Sequence, residues 1–176
     1  MTRPDAPATG TWSVPTAEHM HHLGVRLGGL LRAGDLVLLD GGLGAGKTTL
    51  TRGIGEGLGV TDPVTSPTFV IAREHPPTAA APGLVHVDAY RLTSPDELDD
   101  LDLAPAMATS VTVVEWASGR AEHLGEHRLE LTLLLSPDDS REVRWSAVGV
   151  RWQPDLSRVA GCGERSSPRP SPGRPA

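Results

Sequence analysis

The chain has few of the features that mark secreted or membrane proteins. Its 176 residues include a single cysteine, Cys162, which excludes an internal disulfide and is compatible with a reducing compartment. The first residues lack a basic stretch followed by an apolar run, so they do not resemble a secretory signal. No apolar segment approaches the roughly 20 residues that a membrane-spanning helix requires. We therefore expect a soluble, cytoplasmic protein.

Aromatic residues and positive charge are also scarce. Aromatic residues make up 3% of the chain within a hydrophobic content of 38%, so the core must consist mainly of Leu, Val and Ala. The formal net charge is −6, and residues 154–176 carry four Arg against one Asp and one Glu, which leaves −8 on the rest. Because nucleic-acid binding relies on concentrated Lys and Arg, this body is a poor autonomous binder of nucleic acid. If nucleic acid is involved, we expect a partner to hold it.

Glycine is concentrated in the most informative motif of the chain. Residues 41–48 read Gly-Gly-Leu-Gly-Ala-Gly-Lys-Thr and match the complete pattern of a phosphate-binding loop. An apolar run at 36–39 predicts a buried parallel strand before the loop, and residues 49–58 predict a helix after it, despite three glycines that disfavour a helix. This setting favours nucleotide binding over a glycine-rich turn that binds nothing.

Each residue type in the loop meets a physical requirement of phosphate binding. The glycines allow positive φ and let the backbone approach a polyphosphate, so that successive N–H groups and the helix dipole bind phosphate oxygens. Lys47 brings a cation to the outer phosphates. The hydroxyl of Thr48 is a hard oxygen ligand suited to Mg²⁺.

The remaining sequence predicts an α/β fold with one phosphate-loop NTPase domain, whose mostly parallel central sheet has flanking helices and a C-terminal β-hairpin. We predict a disordered N-terminus at 1–11, the domain at 12–152 and a disordered Pro/Arg/Ser-rich tail at 153–176. Predicted elements are a helix over 16–31 with Thr16 as N-cap, strands at 68–71, 84–88 and 111–114, a surface turn over 75–83, a short helix opened by Ser94 with Glu97 as capping-box partner, and hairpin strands at 129–135 and 142–148.

Two acidic residues follow predicted strands of the central sheet. Asp88 ends the apolar run 84–87, and Glu115 ends the run 111–114. Ligands of open α/β sheets bind beyond the carboxyl ends of the strands, so both acids should face the phosphate loop. Asp88 could hold Mg²⁺ directly or through water, and Glu115 could ligate the metal, orient the attacking water or accept its proton. The alternative is that each acid caps a nearby loop, but two such acids in this setting favour a functional role.

A hydroxyl-bearing loop, Ser66-Pro67-Thr68, follows the predicted helix of the phosphate loop. Loops in this place sense the γ-phosphate in many nucleotide switches. From the residues alone, turn chemistry before a strand is the better explanation.

Several segments together resemble a known family. In chain order they are Gly-Ala-Gly-Lys-Thr-Thr at 44–49, Arg-Gly at 52–53, Ser-Pro-Thr-Phe at 66–69, His-Val-Asp-Ala-Tyr-Arg-Leu at 86–92 and Glu-Trp at 115–116. Their order resembles the TsaE (YjeE) family, the ATPase of bacterial tRNA threonylcarbamoyladenosine synthesis, over about residues 12–150. The resemblance implies a Mg²⁺-dependent ATPase that acts with TsaB and TsaD homologues in the threonylcarbamoyl modification of adenosine 37 in tRNAs reading ANN codons. It also implies that tRNA is contacted only through the complex.

The resemblance also implies roles for individual residues. Thr48 and Glu115 would bind Mg²⁺, Asp88 would be the strand-end acid, and residues 66–68 would form a switch-like loop. The predicted catalytic residues are Lys47, Thr68, Asp88 and Glu115, and the predicted metal ligands are Thr48, Asp88 and Glu115. The predicted ATP-binding residues are Thr16, near the adenine, and Gly44, Ala45, Gly46, Lys47, Thr48, Thr49 and Arg141.

The role of Trp116 stays open, because it could pack over the site, face a partner or be a plain core residue. Two other parts of the sequence fit the family less closely. The stretch 75–82 lacks the aromatic residue expected there, and the basic Pro-rich tail is extra.

Two other classes of function stay open. A small-molecule kinase would need a lid or binding lobe with convergent Arg residues, and the short, acidic segment 94–109 argues against it. A nucleotide-gated interaction module with negligible turnover would share the same binding chemistry and differ only in rate. A GTPase is disfavoured because the sequence has no Asn-Lys-x-Asp element to recognise guanine.

Overall fold

One sheet organises the molecule. The computed structural model describes residues 7–67, 71–152, 156 and 159. Within this described part of the chain, seven strands form a mixed sheet with the order β1-β7-β6-β2-β5-β4-β3. The strands are β1 (Ala8–Val14), β2 (Leu36–Gly41), β3 (Ala72–His75), β4 (Gly83–Asp88), β5 (Ser110–Glu115), β6 (Arg128–Leu135) and β7 (Arg141–Val148).

The helices are short. They are α1 (Ala17–Gly28), α2 (Lys47–Leu58), α3 (Pro95–Asp99) and α4 (Ala104–Met107), with single 3₁₀ turns at Ala89–Arg91, Glu122–Leu124 and Val150–Trp152. The longest of them have 12 residues, and no helix in the described ranges is both long and apolar enough to cross a membrane.

The centre of the sheet is parallel, as the sequence predicts. Strands β6, β2, β5 and β4 are parallel neighbours, whereas β7 pairs antiparallel with β6, β1 with β7 and β3 with β4. The predicted C-terminal hairpin is therefore β6–β7. Almost every residue of β2, β4 and β5 is buried, as expected for parallel strands covered on both faces, whereas β6 alternates buried and more exposed residues.

Two apolar layers cover the two faces of the sheet. One cluster joins Met20 and Leu27 of α1 and Ile54 of α2 to alternate residues of β2, β5, β6 and β7. The other joins Leu98 of α3 and Leu103 to the opposite faces of β2, β4 and β5. Because successive side chains of a strand point to opposite faces, α1 and α2 lie on one side of the sheet and α3 and α4 on the other.

Glycines allow α1 and α2 to pack closely. A Cβ atom at Gly53 would lie 2.1 Å from a backbone carbonyl oxygen of α1, and one at Gly57 would lie 2.2 Å from another. The opposing positions Gly24 and Gly28 of α1 would bring a Cβ within 2.3 and 2.4 Å of the α2 backbone. The third glycine of α2, Gly55, would bring a Cβ within 2.7 Å of a valine side chain in the following loop. The glycines that disfavour this helix locally are thus required by its neighbours.

The two ends of the chain correct the predicted disorder boundaries. The sequence predicts disorder over residues 1–11, but strand β1 already begins at Ala8. Its residues are ordered by antiparallel pairing with β7, in which Ala8 lies opposite Ala147 and Val14 opposite Arg141. Within the predicted disordered tail, Leu156 and Val159 are buried in the same layer as α1 and α2. The other residues of 153–176 lie outside the described part of the chain.

Three predicted local details also differ. The strand predicted at 68–71 falls partly on residues outside the described ranges, and the observed strand β3 instead ends at His75, where the sequence predicts the start of a surface turn. Helix α1 ends at Gly28, before the predicted residue 31, although Thr16 is its N-cap as predicted. The capping box at α3 does not form, because the Ser94 side chain makes no capping hydrogen bond and Glu97 accepts the N–H of Thr93 at 3.3 Å.

Candidate functional site

The glycine-rich loop, residues 41–48, connects β2 to α2 as the sequence predicts. Gly44 has φ 77° and Gly46, the N-cap of α2, has φ 107°, values that residues with a Cβ rarely adopt. No side chain caps the start of α2. The first N–H groups of this helix therefore point out of its N-terminus without a side-chain acceptor, which is the arrangement that binds anions.

A cleft of about 370 Å³ opens beside the loop. It lies where the loop and α2 meet the carboxyl ends of β4 and β5, the position expected for a ligand in an open α/β sheet. Its lining residues in the described ranges are Leu43, Gly44, Gly46, Lys47, Thr48, Thr49, Ser66, Asp88, Tyr90, Glu115 and Trp116. The fold thus brings together most of the residues that the sequence predicts for the site.

Lys47 is folded back onto the loop that precedes it. Its Nζ donates hydrogen bonds to the carbonyl oxygens of Gly41 at 2.7 Å and Gly42 at 3.0 Å, and the side chain is only 5% exposed. Burial lowers the pKa of Lys47 from its ordinary value, although nearby carboxylates, with Glu115 first among them, oppose the shift. The ammonium is therefore held at the base of the cleft by acceptors that a phosphate could replace.

Trp116 covers Lys47 from the other side. The ammonium nitrogen lies 3.7 Å from the centroid of the indole ring, a cation–π contact, and the ring of Tyr90 packs against the indole at 5.0 Å between centroids. The backbone of Trp116 has φ 58°, a left-handed conformation that is unusual for a bulky residue. Of the three alternatives that the sequence leaves for Trp116, the structure supports packing over the site.

Glu115 is the centre of a buried hydrogen-bond network. Its Oε1 accepts the hydroxyl of Thr48 at 3.0 Å and lies 2.8 Å from Nε2 of His86, and its Oε2 also accepts from Thr48 at 3.2 Å. The hydroxyl of Thr51 lies 3.5 Å from Oε1. The Glu115 side chain is almost completely buried, so these donors replace the water that would otherwise solvate the carboxylate.

Asp88 occupies a more open position than Glu115. The two residues are register partners at the ends of the parallel strands β4 and β5, and Asp88 lines the cleft while remaining half-buried. Its Oδ1 accepts the N–H of Tyr90 at 3.0 Å and caps the following 3₁₀ turn. The capping role that the sequence leaves open for this acid is thus observed, alongside its place in the cleft.

Some predicted site residues lie away from the cleft or outside the described ranges. Thr68 is outside the described part of the chain. Ala45 buries its side chain in the core, and its N–H donates to the carbonyl oxygen of Gly42 at 3.2 Å. The Thr16 hydroxyl accepts the N–H of His19 at 3.2 Å. Thr16 lies one helical turn before Met20, whose side chain is next to Gly46.

Arg141 opens β7 at the same end of the sheet, opposite Val14 of β1. Its guanidinium donates to the carbonyl oxygen of Asp139. Neither Arg141 nor Thr16 is among the described residues that line the cleft. Their proposed contacts with a nucleotide stay predictions.

Two residues of this region are not in the predicted site. His86 could have been found from its spacing, because a polar residue in the apolar run 84–87 lies two positions before Asp88 and therefore on the same face of the strand. Asp40, in the strand before the loop, accepts the N–H of Ser118 at 3.1 Å and so ties the segment after Trp116 to β2. Only the fold brings residues 40 and 118 together.

The available oxygen ligands fit a magnesium ion that also binds phosphate. Within the described residues, no group of three or more His, Cys, Asp or Glu side chains forms a complete metal site. The hydroxyl of Thr48 and the carboxylate of Glu115 are in direct contact, and Asp88 stands at the neighbouring strand end. Mg²⁺ is commonly held by one or two carboxylates, waters and substrate phosphates, so this partial set suits Mg²⁺ bound together with a nucleotide.

The chain is similar to one protein family, to named relatives of that family and to a solved structure. The family model named Threonylcarbamoyl adenosine biosynthesis protein TsaE matches residues 14–143. A Streptomyces coelicolor protein named tRNA threonylcarbamoyladenosine biosynthesis protein TsaE is 56% identical over 148 residues, which cover 81% of this chain and 100% of that protein. The Bacillus subtilis protein of the same name is 38% identical over 143 residues, covering 81% of this chain and 88% of that protein. The crystal structure of Bacillus subtilis YdiB superposes with a TM-score of 0.70 at 31% identity, covering 88% of this chain and 95% of that one.

Proposed function

Because the chain belongs to the TsaE family of threonylcarbamoyl adenosine biosynthesis proteins, we propose that it is a Mg²⁺-dependent ATPase. Its hydrolysis of ATP supports the threonylcarbamoyl modification of adenosine 37 in tRNAs reading ANN codons. The observation that carries the proposal is the contact between the Thr48 hydroxyl and the Glu115 carboxylate at the mouth of the glycine-rich loop. A hydroxyl at the start of the helix and a strand-end carboxylate are the groups that hold Mg²⁺ in phosphate-loop enzymes.

Each group of the cleft has a defined task in this proposal. The N–H groups of the loop and of the uncapped N-terminus of α2 bind the phosphates. Lys47 exchanges its two carbonyl acceptors for oxygens of the outer phosphates. Thr48 and Glu115 would hold Mg²⁺, which would neutralise charge on the phosphates.

Asp88 and Glu115 take different roles because their surroundings differ. Glu115 is buried and already accepts hydrogen bonds from Thr48 and His86, so it is suited to fixing a metal-binding geometry. Asp88 is the more accessible carboxylate and lines the cleft, so it is suited to orienting the attacking water or accepting its proton. Asp88 can also contact the metal through a water.

Homologues of TsaB and TsaD are the proposed partners, and tRNA is contacted only through them. The charge of the chain supports this arrangement, because residues outside 154–176 carry a net −8. A body of this charge repels a phosphate backbone.

The alternative functions have less support. A small-molecule kinase commonly uses arginines that converge on the transferred phosphate, and no arginine lies among the described residues lining the cleft. The absence of an Asn-Lys-x-Asp element again disfavours GTP as the substrate. A nucleotide-gated interaction module would use the same cleft and differ only in turnover.

A phosphate-release assay on the purified chain, with and without its TsaB and TsaD homologues, tests the proposal. We expect release of phosphate from Mg·ATP without any added acceptor, which excludes an acceptor-dependent kinase. Removing either the cation in Lys47→Ala or the carboxylate in Glu115→Ala should abolish it. We expect Asp88→Asn to lower turnover by about 10²- to 10⁴-fold, the usual contribution of a general base, with a smaller effect on Mg²⁺ binding than Glu115→Gln.

Each contrary result of this assay has a specific meaning. Tight Mg·ATP binding without turnover, even with both partners, would favour the gated module. Turnover unchanged in Glu115→Ala would contradict the metal-binding assignment.

A further inference from the structure

A histidine lies directly beneath the carboxylate of the site. We propose that His86 is a positioning residue, whose Nε2–H holds the carboxylate of Glu115 in the orientation that meets the Thr48 hydroxyl and Mg²⁺. This inference rests on the proposed function, since it concerns the metal-binding step of the same site. It assigns a role to a residue outside the predicted catalytic, metal and nucleotide-binding sets.

The sheet geometry brings the histidine to the carboxylate. His86 lies on β4, two residues before Asp88, whose register partner on β5 is Glu115. The side chains of His86 and Glu115 therefore project from the same face of the sheet, toward α2. The Nε2 atom of His86 lies 2.8 Å from Oε1 of Glu115, and both side chains are almost fully buried, at 0% and 3% exposure.

The hydrogen bond to Glu115 is the polar contact that accounts for this buried ring. The other ring nitrogen, Nδ1, is buried and has no hydrogen-bond partner in the described part of the chain. A carboxylate can only accept, so Nε2 must carry the hydrogen that it donates. With the hydrogen on Nε2, the unpaired Nδ1 is an acceptor, so the His86 ring buries no N–H group that lacks an acceptor.

The same hydrogen bond restricts the orientation of the carboxylate. Oε1 of Glu115 lies between the His86 ring and the Thr48 hydroxyl, so rotation of the carboxylate would lose the bond to His86. Without this donor, a buried carboxylate oxygen would lose a charge-assisted hydrogen bond and the group would turn more freely. Partners of this kind behind a metal ligand typically change metal affinity by about 10- to 100-fold when they are removed.

A second buried histidine provides a matched control. His75 on the neighbouring strand β3 is also buried, and its Nε2 has no hydrogen-bond partner within the described residues. The hydrogen bond to Glu115 is made by His86, so His75 is a buried histidine of the same sheet without the proposed contact. A substitution at His75 therefore measures the effect of changing a buried histidine in this part of the sheet.

Two amide substitutions distinguish positioning from packing. In His86→Gln the side-chain N–H₂ can occupy the place of Nε2 and donate to Glu115, whereas in His86→Asn the shorter side chain ends near Nδ1. We would measure the affinity of each purified, folded variant for a fluorescent ATP analogue over a series of Mg²⁺ concentrations and in EDTA. We expect His86→Asn to require about 10- to 100-fold more Mg²⁺ for the same effect. His86→Gln and His75→Gln should stay near the wild-type response, and affinity in EDTA should be the same for all.

A wild-type Mg²⁺ response in His86→Asn, or an equal shift in His75→Gln, would overturn the positioning role. Failure of the wild-type chain to bind the analogue would instead count against the proposed function. A second measurement decides the inference even if a variant does not fold. In the ¹⁵N-histidine-labelled wild-type chain, ring-nitrogen shifts should show the Nε2–H tautomer of His86. A hydrogen on Nδ1 instead would overturn the proposal.

Discussion

Among single residues, Asp40 shows how a side chain outside the predicted site is connected to it. Its carboxylate accepts the Ser118 N–H and thereby anchors the segment that follows Trp116, the residue that covers Lys47. Burial raises the pKa of Asp40 above its ordinary value, even though the Ser118 hydrogen bond and the Lys47 cation act in the opposite direction. The charged form of Asp40 is therefore disfavoured in the folded state.

This raised pKa predicts a pH-dependent effect of Asp40→Asn. Because the pKa is higher in the folded than in the unfolded chain, the folded state loses stability as pH rises through the interval between the two values, beginning near pH 3.9. Above that interval the full cost is present. Asparagine removes the charge, and its Oδ1 can still accept the Ser118 N–H. We expect a higher melting temperature than wild type at pH 7, with a difference that shrinks as pH falls through this interval and is lost once pH is below about 3.9.

Thermal unfolding followed by circular dichroism at several pH values would measure this difference, with activity in the ATPase assay recorded in parallel. A lower melting temperature of Asp40→Asn at pH 7 would contradict the prediction. It would show that attraction between the Asp40 charge and Lys47 outweighs the cost of burial.

At the scale of helices and strands, the sequence predicted what is encoded locally. The apolar runs of β2, β4 and β5, the hairpin β6–β7 and the loop before α2 all agree with the structure, because their signals lie within each segment. The first strand was missed because Ala8 to Thr11 carry no strand pattern of their own and become ordered through pairing with β7. The failed capping box has a different, local cause, since Glu97 accepts from Thr93, four residues before it, instead of taking part in a cap with Ser94.

The candidate site shows the same division. Lys47, Thr48, Asp88 and Glu115 were predicted, because a motif and two strand ends identify them, and the structure brings them to one cleft. The link from Glu115 to His86 joins residues 29 positions apart, and its geometry depends on which strands are neighbours. Propensity and spacing in the sequence do not supply that information.

The close contact between α1 and α2 leads to a prediction about helix packing. In Gly53→Ala the new Cβ would lie 2.1 Å from a backbone oxygen, and backbone cannot move aside as a flexible side chain can. The gain in helix propensity, about 1 kcal/mol, should be outweighed by overpacking, so we expect net destabilisation of about 1–3 kcal/mol. Since α2 begins at Lys47, displacement of this helix should also weaken ATP binding.

Gly29→Ala is a control of the same chemistry at the end of α1. Gly29 has φ −66°, and the nearest atom to an added Cβ would lie 3.6 Å away, an ordinary contact distance. We expect this variant to be neutral or more stable by up to about 1 kcal/mol. Urea unfolding of both variants measures the difference, and equal stability of Gly53→Ala and wild type would contradict the packing argument.

Across the whole molecule, the cleft belongs to one half of the sheet. Its described lining residues come from the glycine-rich loop, α2, the loop containing Ser66, and the ends of β4 and β5, whereas β1, β6 and β7 contribute none. The antiparallel half instead closes the apolar layer beneath α1, with Trp12 and Trp145 stacked at 5.7 Å between ring centroids. The cleft and the apolar support beneath α1 thus lie on different halves of the sheet.

The overall charge gives the last prediction, which concerns tRNA. The net −6 of the chain and the −8 of its body oppose contact with a phosphate backbone, so the isolated protein should not bind tRNA specifically. We expect any affinity to be no tighter than the non-specific range of about 10⁻⁴ to 10⁻⁶ M at physiological salt. Adding the TsaB and TsaD homologues should produce tRNA binding whose salt dependence comes from phosphate contacts made by those partners.

Fluorescence anisotropy with labelled tRNA measures binding by the chain alone and by the complex. A chain ending at residue 159 is the matched control, because it lacks three of the four C-terminal arginines. Tight, salt-sensitive binding by the full chain alone that disappears in the shortened chain would show that the basic C-terminal segment contacts RNA directly, contrary to the prediction.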